Sequence, residues 1–268
     1  MPASLPPYRV SAFNTAHDSE NKIHDDATAR RFGFSGGLVP GVDVYGYMSH
    51  MPVMRWGRAW LEGGIADCRF YKPVYDGEAA IITAKETDDG LDITVESRGE
   101  VCATGHASLP ATPQSPPSID AYRAVTQRAE RPPADENSLP AGGWLGLTPY
   151  PVTPEMAEKY LKDSGETAPI YADEKLVHPR EILRTCNFVV SRNVRLGPWI
   201  HTGSRVRHFM AVPVGSTLSV RARIAGNYEH KGHRFVDVDA LVLANESTPI
   251  AHINHIAIYL PRQVAEAA

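Results

Sequence analysis

The chain has 268 residues, 43% hydrophobic and 22% charged, with a formal net charge of −4. This balance is typical of a globular protein with a sizeable core, and it excludes the strongly basic surface of a nucleic-acid-binding protein. The three cysteines, Cys68, Cys102 and Cys186, form no C-x-x-C pair, so neither a disulfide framework nor a zinc site is indicated.

The hydrophobic residues are spread along the chain in short runs. No run approaches the ~18–20 apolar residues that a membrane-spanning helix needs. The first residues, MPASLPPYRV, lack the basic region and apolar run of a signal peptide. We therefore expect a cytoplasmic protein with reduced thiols, no membrane or nucleic-acid partner, and no metal.

In chain order, the first predicted helix begins after Pro40 and carries apolar residues at helical spacing. Pro52 is predicted to kink or end this helix. An alternating strand then ends at Phe70, and further strands follow, with Asp89-Gly90 supplying a tight hairpin turn between two of them. We therefore predict that this arm consists of one helix packed on an antiparallel sheet.

A proline-rich stretch follows the first arm. Residues 109–143 contain seven prolines, which forbid a continuous helix or a central strand. We expect a connector over residues 110–143 with a short helical piece near residues 122–130. The connector divides the chain into an N-terminal arm, residues 1–109, and a C-terminal arm, residues 144–268.

The second arm repeats the order of signals found in the first. A helix opens with Pro179 at a favoured first-turn position, an alternating strand ends at Phe209, and a Pro-Val turn leads to Gly215. The stretches STLSVRARI and RFVDVDALVLA alternate as half-buried antiparallel strands do. We infer an internal duplication of the α+β class, with the two sheets joined into one.

The most unusual stretch of the chain precedes the first helix. Residues 17–41 read HDSENKIHDDATARRFGFSGGLVPG, which combines acids, histidines and glycines with few apolar anchors. The run NKIHDD, the Ala29 and Gly33-Phe34 that follow it, and the final Val-Pro-Gly resemble the motif of the MaoC-like, or R-specific enoyl-CoA hydratase, family. The duplicated arms extend that resemblance over most of the chain. It implies a double hotdog fold, in which each arm wraps an antiparallel sheet around a central helix.

The resemblance also implies an activity. Members of this family act as hydro-lyases on α,β-unsaturated or β-hydroxy acyl thioesters of coenzyme A or a carrier protein, without a cofactor. By resemblance, Asp18 and His24 form a catalytic dyad, Asn21 positions the water or the dyad, and the backbone N–H of Gly41 binds the thioester carbonyl. A histidine–carboxylate pair suits this reaction because water must lose a proton while the α-carbon gains one.

The motif departs from the family pattern at three places. Ser19 stands where the catalytic aspartate is expected, Asp18 lies one residue further away, and Glu20 is a second nearby carboxylate. Lys22 replaces a proline, and Pro40 replaces the histidine before the helix. The carboxylate partner of His24 therefore stays open among Asp18, Glu20 and none.

The second arm carries a fainter form of the motif, SGETAPIYADEKLVHP. Tyr171 stands there in the place of the histidine, so we expect this arm to shape the acyl pocket without catalysing the reaction.

Five other residues are predicted to contact the substrate from their positions in the sequence alone: Val39, Pro40, Tyr45, Arg205 and Arg207. The two arginines share one strand face, which is either solvated or in contact with the phosphates of coenzyme A. Two alternative functions stay open: a hotdog acyl thioesterase, and a non-catalytic acyl-binding protein. A homodimer is also expected, because a pair of hotdogs leaves its sheet edges exposed.

Overall fold

The computed structural model describes residues 5–17, 19–31 and 33–262. The first arm contains five strands and three helices within that part of the chain: β1 (Tyr8–Ser11), α1 (Asp26–Arg31), α2 (Gly41–Trp56), α3 (Arg58–Gly63), β2 (Ile65–Phe70), β3 (Ala79–Glu86), β4 (Leu91–Ser97) and β5 (Glu100–Ser108). The second arm contains β6 (Trp144–Pro151), α4 (Pro154–Ser164), α5 (Ile170–Asp173), α6 (Pro179–Ser191), β7 (Ile200–His208), β8 (Thr217–His230), β9 (His233–Ala244) and β10 (Thr248–Leu260).

The strands of both arms form one antiparallel sheet. Among the described residues it has ten strands in the order β1-β3-β4-β5-β2-β7-β10-β9-β8-β6. The arms meet where β2 pairs with β7, with Ile65 opposite Arg207 and Arg69 opposite Gly203. The predicted joining of the two sheets is therefore confirmed, and the α+β double hotdog arrangement is present.

The long helices α2 and α6 lie inside the curve of this sheet and contact each other. Helix α2 is buried continuously from Val42 to Val53, because the sheet and α6 cover it on different sides. Helix α6 opens with Pro179, as predicted, and the ring of His178 caps it by accepting from the Arg180 backbone N–H at 3.2 Å. None of the described helices is long and apolar enough to cross a membrane.

Pro52 was predicted to kink or end the first helix, and it does not end it. Pro52 lies inside α2, which continues to Trp56. A proline in a helix interior costs about 3 kcal/mol, and burial of the residues around it on every side of the helix outweighs that cost. The helix ends instead at Gly57, whose φ of 57° lies in the left-handed region that favours glycine.

The predicted helical piece over residues 122–130 is also absent. The connector forms a single 3₁₀ turn, Ile119–Ala121, and then runs in extended form across β6. A β-carbon at Gly146 would lie 1.7 Å from the Val125 carbonyl oxygen, so the connector backbone packs directly on the strand. The Arg128 N–H donates to Asn193 Oδ1 at 3.0 Å, which replaces a bond that a helix would have made.

Candidate active site

The loop between β1 and α2 is held in shape by buried polar side chains. Asn14 is fully buried; its Nδ2 donates to the His24 carbonyl at 2.8 Å, and its backbone N–H donates to Asp76 at 2.7 Å. Asn14 Oδ1 also accepts from the Ala16 N–H at 2.9 Å. The position of His24 is therefore set by an asparagine ten residues earlier.

The two aspartates after His24 have structural roles. Asp25 accepts from the Thr28 N–H at 3.0 Å and so caps α1. Asp26 accepts from the Gly37 N–H at 2.7 Å and from Arg30, and thereby ties the glycine-rich turn to α1. Their contacts hold the loop around His24.

His24 is held as an uncharged imidazole. Its Nδ1 lies 2.7 Å from the Leu38 carbonyl oxygen, so the ring proton is assigned to Nδ1 and the lone pair to Nε2. Burial lowers the pKa of His24, while the Leu38 carbonyl and the charge of Asp43 oppose that shift without cancelling it. Nε2 is therefore available as a proton acceptor at neutral pH.

Asn21 connects His24 to the other arm. Its Nδ2 lies 3.3 Å from His24 Nε2 and 3.0 Å from the Trp199 carbonyl oxygen. Its Oδ1 accepts from the Trp199 N–H at 3.3 Å. The backbone of Trp199 thus orients the amide, and the site is built from both arms.

A cavity of about 210 Å³ opens beside these two residues. Five of the predicted site residues line it: Asn21, His24, Val39, Pro40 and Gly41. Its apolar wall comes from the first arm through Ile23, Phe34, Leu38, Val44 and Val74, and from the second arm through Trp199 and Ile200. The shape and lining suit an acyl chain that places a polar group near His24.

Gly41 is the first residue of α2. Pro40 accepts from the Asp43 and Val44 N–H groups at 2.9 and 3.1 Å, whereas no acceptor among the described residues bonds the Gly41 N–H. A β-carbon at Gly41 would lie 2.8 Å from His201 Nδ1, so only glycine fits here without movement of that ring. A free N–H at a helix start suits a partly negative oxygen.

A second cavity, of about 400 Å³, adjoins the first and shares five lining residues with it: Asn21, His24, Pro40, Asn187 and Trp199. Its remaining wall includes four arginines: Arg131, Arg180, Arg184 and Arg192. His24 therefore lies at the junction of an apolar cavity and an arginine-lined one.

The carboxylate partner of His24 is not placed by the structure. Asp18 lies outside the described residues. Glu20 lines the second cavity, where both of its carboxylate oxygens accept from Arg131, at 2.7 and 3.1 Å. Its side chain is 76% exposed.

Three predicted contact residues lie away from this site. Tyr45 is buried on the side of α2 that faces β7, with its hydroxyl 3.3 Å from His208 Nε2. Arg205 and Arg207 extend from β7 on the outer face of the sheet, where Arg205 lines a surface hollow and Arg207 contacts His252. The strand alternation that put both arginines on one face also turned that face away from the cavity.

Sequence reasoning did not assign two polar residues of the second arm that line the site, His201 and Asn187. His201 is 8% exposed, and its Nε2 lies 2.8 Å from Ser204 Oγ. Burial lowers the pKa of His201 well below its ordinary value, so this ring is uncharged. Asn187 lines both cavities. Neither residue belongs to a recognisable motif, and only the fold brings them to His24.

The faint motif of the second arm forms a different structure. The Glu166 carboxylate lies 2.7 Å from His50 Nδ1 and 3.2 Å from His178 Nε2, and it accepts two backbone N–H bonds as well. Burial raises the pKa of Glu166, but the hydrogen bonds from the two histidines outweigh burial and hold that pKa well below its usual range. Tyr171 packs on His178 at 4.6 Å between ring centroids.

Comparison with known proteins identifies the fold. No protein-family model and no curated protein sequence matches the chain. Rv0216 of Mycobacterium tuberculosis, a protein with a double hotdog fold, matches at a TM-score of 0.67 and 15% identity, covering 96% of each chain.

Two further solved structures match over nearly the whole chain. A protein described as a MaoC-domain dehydratase from Chloroflexus aurantiacus matches at a TM-score of 0.58 and 10% identity, covering 96% of this chain and 94% of its own. A MaoC-like dehydratase matches at 0.56 and 15%, covering 95% and 98%. The chain therefore has the double hotdog fold, in the arrangement that solved MaoC-like dehydratases also have.

Proposed function

We propose that this protein is a hydro-lyase that adds water to, or removes it from, an acyl thioester. The substrate is an α,β-unsaturated or β-hydroxy acyl group on coenzyme A or a carrier protein. The observation that carries the proposal is the pairing, in one apolar cavity, of the uncharged His24 imidazole with the Gly41 N–H, which bonds no acceptor in the described part of the chain. The fold shared with MaoC-like dehydratases supports it.

In the hydration direction, His24 Nε2 accepts a proton from water, and the hydroxyl oxygen forms a bond to the β-carbon. The electron pair of the carbon–carbon double bond moves toward the thioester oxygen, where the Gly41 N–H stabilises the negative charge. The α-carbon then takes up a proton, which restores the thioester. Asn21 Nδ2, which lies 3.3 Å from Nε2, turns its N–H to the oxygen of the bound water and holds that water beside Nε2.

We assign the second proton transfer to a carboxyl group of the same loop, which gives its proton to the α-carbon as the acid and regains one from the His24 imidazolium, so that both groups return to their starting forms. Asp18 is the first candidate, since it directly precedes Ser19 and Glu20, which line the second cavity beside His24. Glu20 is the second candidate and would first have to leave Arg131. Val39 and Pro40 contact the acyl group as part of the cavity wall.

The test is incubation of the protein with crotonyl thioesters of coenzyme A and of N-acetylcysteamine. Products are read by mass spectrometry for added water and by a thiol reagent for free thiol. Addition of water supports the proposal. Release of thiol without water addition shows a thioesterase, and binding without either product shows an acyl-binding protein; both results contradict it.

The role of His24 is tested by His24→Asn, which should lower kcat about 10²–10⁴-fold because the proton acceptor is lost. His106→Asn is the matched control, since His106 lies on β5 and bonds Asp92 at 2.9 Å on the sheet surface. Equal activity of the His24 variant and the wild type, with both folded, would overturn the assignment.

A further inference from the structure

Counted over the described residues, the cavity lined by Arg131, Arg180, Arg184 and Arg192 (hereafter the arginine cavity) carries more positive than negative charge. Arg131 is paired with Glu20, and Arg180 with Asp43 at 2.5 Å and with Glu181. Arg184 reaches the same Glu181 oxygen at 3.2 Å. Among the described residues, four arginines therefore share three carboxylates.

Arg192 is the arginine of this cavity that has no carboxylate partner among the described residues. Its guanidinium lies over the rings of Phe188 and Tyr150, at 4.3 and 5.6 Å from their centroids, and it contacts no carboxylate in the described part of the chain. Stacking on an aromatic face leaves the edge of a guanidinium, with its N–H groups, open to a further partner.

Arg184 has an unused donor. Its Nε is buried, and no hydrogen-bond acceptor among the described residues meets it. Burial lowers the pKa of Arg184, and the neighbouring charge of Arg180 lowers it further, so the site penalises a positive charge that Glu181 only partly balances. The guanidiniums of Arg184 and Arg192 each lie 4.3 Å from the centroid of the Phe188 ring, so an anion bound in this cavity would be attracted by both.

The position of this charge limits what the anion belongs to. The arginine cavity has a volume of about 400 Å³ and includes His24 and Asn21 in its wall. A group bound there lies within one cavity width of the reacting carbons, so it is part of the molecule that reacts at His24.

We propose that the arginine cavity binds an anionic oxygen group of the substrate, either a carboxylate on the acyl chain or a phosphate of the carrier. The carboxylate fits the dimensions better, because the pantetheine arm separates the carrier phosphate from the thioester by more than the width of this cavity. The inference rests on the proposed function in taking an acyl thioester as the ligand.

The test measures binding of unreactive saturated thioesters by calorimetry, so it does not need turnover. Succinyl-N-acetylcysteamine is compared with its methyl ester, which carries no charge and is larger by one methyl group. We expect the acid to bind at least tenfold more tightly to the wild type, and we expect Arg184→Gln and Arg192→Gln to remove that preference. Arg55→Gln is the matched control, because Arg55 is an exposed arginine paired with Glu86.

The carrier phosphate is tested in the second arm of the experiment. Tighter binding of butyryl-CoA than of butyryl-N-acetylcysteamine, lost in the same two variants, would assign the arginine cavity to a phosphate. Absence of both preferences in the folded wild type overturns the inference. Water addition without either preference would refute this inference alone, and an anion preference without water addition would refute the hydratase proposal alone.

Discussion

At the scale of single residues, one carbonyl decides what His24 can do. The Leu38 oxygen accepts a hydrogen bond from Nδ1–H, so the lone pair lies on Nε2, and Nε2 faces Asn21. The Asn21 amide is itself oriented by the Trp199 peptide. The neutral Asn21 amide does not raise the pKa of His24, whereas a carboxylate in its place would raise it.

The variant Asn21→Asp tests this arrangement. A carboxylate beside Nε2 stabilises the imidazolium, so the pKa of His24, which lies below 6.5 in the wild type, should rise above 6.5. The measurement is an NMR titration of the His24 ring, which is independent of activity. A wild-type ring that titrates at or above 6.5 would contradict the assignment of an uncharged base.

The sequence motif predicted part of the site and could not have predicted the rest. Asn21, His24 and Gly41 lie in one loop and one helix start, so their spacing alone brings them together. His201 and Asn187 come from β7 and α6, more than 140 positions away, and their place depends on how two sheets join. Their local sequence carries no signal of that contact.

At the scale of elements, the two long helices are locked together by a buried ion pair. Asp43 in the first turn of α2 accepts from Arg180 in α6 at 2.5 Å, and from Thr15 at 2.6 Å. Both charged side chains are at most 3% exposed. Because Asp43 is two residues from Gly41, the pair also holds the helix start that faces the cavity.

Asp43→Ala should lower the free energy of unfolding by about 3 kcal/mol or more, since it leaves the Arg180 charge underbalanced in the interior. The check is urea denaturation at pH 7.5. Glu100→Ala, which breaks the exposed pair with Lys72, should cost about 1 kcal/mol or less. Equal losses of unfolding free energy in the two variants would show that the buried α2–α6 ion pair stabilises the protein no more than an exposed one.

The elements themselves were predicted where a local pattern dominates. Helix α6, the Asp89-Gly90 hairpin and the alternating strands β8 and β9 follow from caps, turn residues and period alone. The end of α2 and the conformation of the connector could not be predicted from local patterns. They depend on tertiary contacts: the burial around Pro52 and the packing of Val125 on Gly146. Helix α4 was missed although Thr153, Pro154 and Gly165 mark its ends.

At the scale of the whole molecule, the sheet buries two histidines close to the place where its two halves join. His208 and His255 are both buried, on the two strands β7 and β10 that pair beside the junction of the arms. Burial lowers the pKa of His208 to about 4 and that of His255 to about 3, from an ordinary value of 6.5. Both rings are therefore neutral in the folded protein at pH 5.

These shifts predict a loss of stability in mild acid. The unfolded chain binds protons below pH 6.5 that the folded protein does not accept, so unfolding becomes easier as the pH falls from 6.5 toward 4. Each ring contributes up to about 1.4 kcal/mol per pH unit in that window. Urea denaturation at pH 7.5 and pH 5 should show the loss, and His208→Asn should make the dependence shallower. An unfolding free energy that is constant over this range would exclude the effect.

The bonds between Asn21 and Trp199 join residues 178 positions apart, and that separation has a consequence for folding. When the first arm leaves the ribosome it already carries His24 and the complete motif, but the peptide that aims Asn21 has not yet been made. The cavity around His24 is then completed only after synthesis of β7 and its docking on β2, so a nascent or half-folded chain holds the motif without an assembled cavity.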